Sequence, residues 1–501
     1  VLIVAPNSVR LVWADELERW VPDIGPGGVN VIQTGSDVHS LKQGSASFHI
    51  VTYGLLARAS PVRNFIREQV RFKMIVIDES HMMKNRNALR TRELMHVVKD
   101  CNRVILLSGT PALARPLELY TQVEAVSPGM FASYTAFTSR YCNAKWTPWG
   151  IDLSGASHLD ELHSKLRSVM VRRLKADVLE ELPSKRRQRV QLEIGESASE
   201  ACVKMKEELQ NCGEDDQWER RMLVKSLYTE SAVAKADAVG EYVEDLINGG
   251  CKFLVFAHHR TMMDALEQVA VRCKVGYIRI DGSVPSTERQ RQTALFQSDP
   301  TVRVAILGLM AAGVGITLTA ASTVVFAELH WTPGILVQAE DRAHRIGQKS
   351  SVNVHYLVAT GTIDDIIWPS VAHKVEVVST MCDGRRSYLV AKLASADATK
   401  GEVADPQAAT ALAAGAGDDE GAIDVDDLVA ISTSRAPAKA EAERRGGEAR
   451  GSSYSVLSML QGRGPKKGGS SKWACGSCTT RNSEDAEACT ECGAERVAAP
   501  A

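Results

Sequence analysis

Residues 73–81 run Lys73-Met74-Ile75-Val76-Ile77-Asp78-Glu79-Ser80-His81, an unbroken apolar stretch closed by two adjacent carboxylates. Apolar continuity without polar alternation marks a strand covered on both faces, as in a parallel sheet flanked by helices. In such sheets ligands bind at loops beyond the carboxyl ends of the strands, where Asp78 and Glu79 stand. A carboxylate pair at that place suits nucleotide hydrolysis. Asp78 can hold a magnesium ion that bridges phosphates, and Glu79 can orient or deprotonate the attacking water. Alone the pair decides nothing, because most Asp-Glu pairs are solvated turn residues.

Outward from this stretch the same texture repeats. Val1–Ala5, Phe48–Thr52 and Val104–Leu107 are further runs of buried-strand type, the last followed directly by Ser108-Gly109-Thr110-Pro111. That loop could relay the phosphate state through hydroxyl and backbone hydrogen bonds, although by itself it is an ordinary turn. Residues 127–235 are more helical and more charged, with basic clusters Arg172-Arg173-Leu174-Lys175 and Lys185-Arg186-Arg187. Strand-helix alternation resumes with Phe253–Phe256, Val275–Ile280, Val302–Leu307, Thr323–Ala327 and Val352–Val358. Two separated stretches of this kind predict two α/β lobes.

The second stretch carries a glycine-rich loop, Ala311-Ala312-Gly313-Val314-Gly315-Ile316-Thr317-Leu318-Thr319, and then Gln338-Ala339-Glu340-Asp341-Arg342-Ala343-His344-Arg345-Ile346-Gly347-Gln348. Arg342 and Arg345 are three apart, so on a helix they share one face. Two guanidiniums so placed can reach across a cleft to a γ-phosphate whose charge spreads in the transition state, a contribution of roughly 10³–10⁵ in rate. The bland alternative is a pair of surface salt-bridge formers, and the surrounding motifs overturn it.

Over residues 1–380 the chain resembles superfamily-two, helicase-like ATPases of the Swi/Snf type. Val4-Ala5-Pro6-Asn7-Ser8-Val9 resembles the first-lobe DNA-contact motif, and Asp78–His81 the Walker B motif. Ser108–Pro111, Phe253–Arg260, Asp281-Gly282-Ser283, Gly313–Thr319 and Gln338–Gln348 are similar to the later motifs in their usual order. Ser80 and the stretches Phe326–Gly334, His355–Gly361 and Asp364–Pro369 resemble the annealing-helicase branch, whose members remodel branched DNA at stalled replication forks. The resemblance implies two RecA-like lobes and a nuclear, DNA-dependent ATP hydrolase. It places ATP with Mg²⁺ at Asp78, Gly315, Gln338, Arg342 and Arg345, with Glu79 catalytic beside Asp78, Arg342 and Arg345. Double-stranded or branched DNA would lie at Asn7, Ser8, Gly282 and Ser283. One departure stands out: residues 1–501 contain no Gly-Lys-Thr phosphate-binding loop. The sequence is read as an N-terminal truncation of a working motor, the alternative being a shortened relative that cannot use ATP. A rival from another class is a non-catalytic DNA- and protein-binding scaffold, and a nucleosome-remodelling motor is the other alternative.

Composition is compatible with this reading: 44% hydrophobic and 24% charged residues suit folded domains, and a net charge of -2 leaves DNA affinity to local basic surface. The longest apolar stretch, Val304–Ile316, is broken by glycines and too short to cross a membrane. Seven scattered cysteines show no pairing rhythm, as in a reducing compartment. The expected organisation is a partial first lobe over 1–126, a helical inter-lobe insertion over 127–235 and a second lobe over 236–394. A flexible linker rich in Ala, Gly, Asp and Glu follows over 395–470, then a small zinc finger over 471–496.

That last segment contains Cys475, Cys478, Cys489 and Cys492, two Cys-x₂-Cys knuckles that supply four thiolates for tetrahedral Zn²⁺. With Trp473 and Asn482 it resembles the Ran-binding-protein type of finger at each defining position. So short a segment cannot bury a useful core, so zinc must provide its folding energy. Three acidic residues in Ser483–Ala488 disfavour RNA phosphate contact. The reading therefore leans to a protein ligand, ubiquitin or a ubiquitylated replication protein.

Overall fold

The computed structural model describes residues 1–386, apart from a few short stretches within them, together with residues 392–394, 473–474 and 481–482. The linker and the four knuckle cysteines lie outside the described residues. By internal contacts the chain divides into two units, Val1–Ala436 and Pro437–Ala501.

The first lobe is a five-stranded sheet in the order β2-β3-β1-β4-β5, formed by β1 Leu2–Ala5, β2 Val29–Val31, β3 Phe48–Thr52, β4 Met74–Asp78 and β5 Arg103–Leu107. Every pairing in it is parallel. Leu2, Val4, Val51, Ile75 and Ile77 pack on one face, and Ile3, Ile50 and Val76 on the other, which explains the unbroken apolar runs. The edge strand β5 departs from this pattern. Its residues alternate, and Ile105 and Leu107 are exposed, because an edge strand has fewer neighbours to cover its outer face.

A short hairpin, β6 Lys145–Thr147 with β7 Gly150–Asp152, precedes the second sheet. That sheet has seven strands in the order β10-β11-β9-β12-β13-β8-β14, all parallel. They are β8 Lys185–Leu192, β9 Phe253–Ala257, β10 Gly276–Ile280, β11 Val302–Gly308, β12 Thr323–Phe326, β13 Val352–Ala359 and β14 Lys392–Ala394. Fully buried Leu254, Phe256, Val324 and Phe326 face one side, and Phe253, Val255, Ile306 and Val325 the other. The two parallel-sheet α/β lobes are those expected from the sequence. β8 is the element its composition hides: Lys-Arg-Arg-Gln-Arg reads as a solvated basic cluster, yet it pairs with β13 over its full length.

The helix Asp364–Asp383 leaves the second lobe and ends among first-lobe residues. Its Met381 and Cys382 are buried with Ala112, Leu119, Phe137 and Leu162, so one apolar cluster joins the two halves. Gly384 closes the helix at φ 64, where a Cβ would also strike the His163 ring. The seven cysteines of the described region are free, and no described helix is long and apolar enough to cross a membrane. In the second unit, Trp473–Ala474 pairs antiparallel with Arg481–Asn482, Trp473 opposite Asn482.

Candidate nucleotide and DNA site

The motifs converge because they follow the carboxyl ends of strands. Asp78 ends β4, Ser108–Pro111 follows β5, and the Gly315 loop lies beyond β11. Asp78 is half-buried, and its carboxylate accepts from Trp13 Nε1 at 2.9 Å and from the Glu79 backbone N–H at 2.8 Å. Burial raises its pKa above the usual carboxylate value; the Trp13 bond opposes this and the Glu79 charge adds to it. A carboxylate penalised in this way gains from a nearby cation, so the residue fits a magnesium ligand.

Glu79 sits in the left-handed region at φ 50, ψ 52, a conformation that costs a non-glycine residue about 1–3 kcal/mol. Tyr53, which the sequence reading missed, holds this turn. Its hydroxyl donates to the Asp78 carbonyl at 2.5 Å and to the Glu79 carbonyl at 3.2 Å. Nothing in the spacing of Tyr53 from Asp78 announces the contact, since it depends on β3 and β4 flanking β1.

From this turn the network reaches the second motif. His81 Nδ1 lies 3.2 Å from Glu79 Oε2 and 3.3 Å from Ser108 Oγ. Buried Ser80 donates to Gln122 Oε1 at 2.8 Å, and Gln122 Nε2 donates to the Pro111 carbonyl at 2.6 Å. Ser80 thus ties the carboxylate turn to the Ser108–Pro111 loop.

The second lobe closes on this loop. Gln338 Nε2 donates to Thr110 Oγ1 at 2.7 Å, and the Gly334 N–H to the Leu113 carbonyl at 3.2 Å. Gly315, at φ 63, abuts Val9, whose Cγ1 would be 2.6 Å from an added Cβ. Buried Arg342 lies within the field of Glu79. Burial and neighbouring Arg345 depress its pKa, and the Glu79 carboxylate supports its charge. Arg342 Nη1 is 3.5 Å from the Ile316 carbonyl, and exposed Arg345 donates from Nη1 to Thr317 Oγ1 at 3.0 Å.

The helix expected beneath the two arginines is not there. The helix Pro333–Glu340 ends before them, and residues 341–347 form turns and bends. Tertiary contacts do what helical periodicity was expected to do. Glu340, fully buried, accepts a bidentate pair from Arg187 at 2.7 Å, an ion pair from Lys185 at 2.7 Å and the Tyr356 hydroxyl at 2.6 Å. Burial opposes its charge, but Lys185 and Arg187 draw its pKa down to about 2. Lys175 pairs with Asp341 at 2.8 Å and donates to the His344 carbonyl at 2.9 Å.

The remaining sequence-predicted residues lie after other strands, one pair in each lobe. Asn7 and Ser8 form the turn after β1; Gly282 and Ser283 form an exposed turn after β10, where Asp281 accepts from the Ser283 N–H at 2.9 Å. Cys475, Cys478, Cys489 and Cys492 lie outside the described residues.

Comparison with known proteins agrees with this architecture. Residues 1–230 match the family model of the SNF2-related domain, and residues 234–347 that of the helicase conserved C-terminal domain. The chain is 44% identical over 409 residues to the DNA annealing helicase and endonuclease ZRANB3 of Bos taurus, covering 78% of this chain and 37% of that protein. The Homo sapiens protein of that name is likewise 44% identical, over 412 residues, with the same coverage. The SWI/SNF-related matrix-associated actin-dependent regulator of chromatin subfamily A-like protein 1 of Xenopus tropicalis is 44% identical over 382 residues, covering 75% of this chain and 40% of that protein. The chain thus spans well under half the length of these relatives. Residues 1–347 therefore comprise an SNF2-related domain followed directly by a helicase conserved C-terminal domain.

Proposed function

We propose that this chain is the motor region of a DNA-dependent ATPase that translocates on DNA and remodels or re-anneals branched DNA during replication-fork repair in the nucleus. The observation that carries the reading is the meeting of the two lobes at these motifs: Gln338 of the second donates to Thr110 of the first at 2.7 Å, and Arg342, just beyond the same helix, feels the charge of Glu79. Hydrolysis needs a base at the water and positive charge at the γ-phosphate on opposite walls of one cleft, and this arrangement supplies both. Similarity to proteins named as DNA annealing helicases supports the substrate class.

In this mechanism Glu79 orients the attacking water and takes its proton. Arg342 and Arg345 offset the charge that spreads over the departing phosphoryl group. Asp78, with its carboxylate steadied by Trp13, would hold magnesium, which would supply positive charge beside the nucleotide phosphates. Gly315 and Gln338 line the second-lobe side. Duplex or branched DNA runs over Asn7-Ser8 and Gly282-Ser283, and closing and opening of the cleft moves the lobes along it. The finger at Cys475, Cys478, Cys489 and Cys492 binds Zn²⁺ and recruits ubiquitin or a ubiquitylated replication protein. The lobes proposed are a first over 1–126 and a second over 236–394, with β8 of the intervening 127–235 contributing a strand to the second-lobe sheet. The experiment that tests the reading is DNA-stimulated ATP hydrolysis with Glu79 and Arg345 replaced in turn.

A further inference from the structure

We propose that Arg172 and Lys175 are positioning residues that couple the Ser108–Pro111 loop of the first lobe to the turn carrying Arg342 and Arg345 in the second. Arg172 donates from Nη1 to the Gly109 carbonyl at 2.9 Å and from Nε to Asp383 Oδ1 at 2.8 Å. One guanidinium thereby holds the middle of the Ser108–Pro111 loop and the last residue of the helix Asp364–Asp383. Three residues later, Lys175 Nζ pairs with Asp341 at 2.8 Å and donates to the His344 carbonyl at 2.9 Å. Those two partners flank Arg342 and lie just ahead of Arg345.

The same stretch continues into Pro183, whose carbonyl is 2.7 Å from His344 Nε2, and into β8, whose Lys185 and Arg187 grip Glu340. The connector that joins the lobes covalently therefore grips both halves of the site, one with Arg172 and the other with Lys175 and the residues after it. A shift of the Ser108–Pro111 loop pulls on Arg172, and three residues of chain carry that pull to Lys175. The turn lies beyond the end of its helix, where its backbone is held by short turn bonds such as Arg342 N–H to the Ala339 carbonyl and His344 N–H to the Glu340 carbonyl, both at 3.1 Å, and Lys175 adds a side-chain hold to these.

The catalytic meaning of this coupling rests on the function proposed above, whereas the coupling itself does not. Amide hydrogen exchange on the 501-residue protein tests it. Both side chains are partly exposed, 28% and 39%, so their replacement leaves the cores intact, and strands β9 to β13 serve as an internal control. Arg172→Ala accelerates exchange about tenfold at Thr110, Leu113 and Ala114, near the loop it touches, and also at Ala343, His344 and Gln348, which it does not touch. Lys175→Ala gives the reciprocal result. Both remote effects persist with Gln338→Ala, which removes the direct bond to Thr110. Arg172→Lys does not rescue, because a single ammonium cannot hold Asp383 and the Gly109 carbonyl in the fork geometry of a guanidinium. Acceleration confined to the segment each side chain touches, or a remote effect that vanishes with Gln338→Ala, overturns the proposal. In the same chain joined at Val1 to a relative's Gly-Lys-Thr segment, where ATP turnover is expected, both variants lower kcat and leave the KM for DNA unchanged; absence of turnover in that unmutated fusion counts against the proposed function and leaves the exchange result standing.

Discussion

Gln338 and Thr110 join the two lobes by one hydrogen bond, Nε2 to Oγ1 at 2.7 Å, and on the same helix Gly334 approaches Leu113 closely enough to exclude any side chain. An added Cβ at residue 334 would lie 2.4 Å from Leu113 Cδ2 and 3.0 Å from its Cα. Thr110→Val removes the acceptor and keeps the shape, at a cost of about 1 kcal/mol. Gly334→Ala cannot keep this closeness at all. Fluorophores placed on the two lobes should therefore report a longer separation in Gly334→Ala and a smaller increase in Thr110→Val. An unchanged distance in Gly334→Ala contradicts the closeness of this contact.

Glu340 offers a test of what fixes the arginine turn. Glu340→Gln keeps the size of the side chain but leaves Lys185 and Arg187 without their buried counter-charge. Removing one member of a buried ion cluster costs about 3–5 kcal/mol. Chemical denaturation should show a loss of that order at pH 7, and a loss within 1 kcal/mol, on the order of a surface substitution, would mean that the cluster does not hold the turn.

His330 gives the protein a pH dependence with a definite sign. Burial, then His258, Lys374 and first-lobe Lys84, lower its pKa from 6.5 to about 3. The folded state therefore favours neutral His330. Its contribution is present in full above pH 6.5 and is lost as pH falls from there toward 3, by roughly 1.4 kcal/mol per unit. His330→Asn retains an acceptor for the Thr332 N–H and cannot titrate. Denaturation midpoints at pH 7, 6 and 5 should fall more steeply in the unmutated protein than in His330→Asn. Parallel slopes would contradict the assignment.

How far the sequence reveals this molecule varies from residue to residue. The strands at Phe48–Thr52, Met74–Asp78 and Val302–Gly308 are legible because burial on both faces demands unbroken apolar runs. β8 is not, because its Lys185 and Arg187 are satisfied by Glu340, a partner more than 150 residues away. That the Asp78-Glu79 turn and the Arg342 turn belong to motifs at strand ends of two lobes is legible through motif order. The support given by Tyr53, Arg172 and Lys175 is not, since each acts through a backbone carbonyl or a distant side chain that carries no spacing signal. The three-residue spacing of Arg342 and Arg345 misleads for a related reason: Glu340 ends the helix by being drawn to β8.

The zinc assignment predicts that a peptide of residues 470–496 binds one Zn²⁺ through its four thiolates and is unstructured without it. Cys489→Ser should abolish binding at micromolar zinc, measured by a chromogenic competitor. Unchanged stoichiometry in that variant removes Cys489 from the ligand set.

The central claim is that Glu79 and the two arginines act on one phosphate across the cleft. Residues 1–501 contain no Gly-Lys-Thr loop, so the 501 residues alone are predicted to show no DNA-stimulated ATP turnover. The measurement is ATP hydrolysis, with and without branched DNA, by the same chain joined at Val1 to a relative's strand and Gly-Lys-Thr segment. DNA should stimulate turnover there. Glu79→Gln should nearly abolish it while retaining ATP binding, and Arg345→Ala should lower it by roughly 10³-fold or more. Wild-type turnover in either variant, or robust DNA-dependent hydrolysis by residues 1–501 alone, contradicts the account.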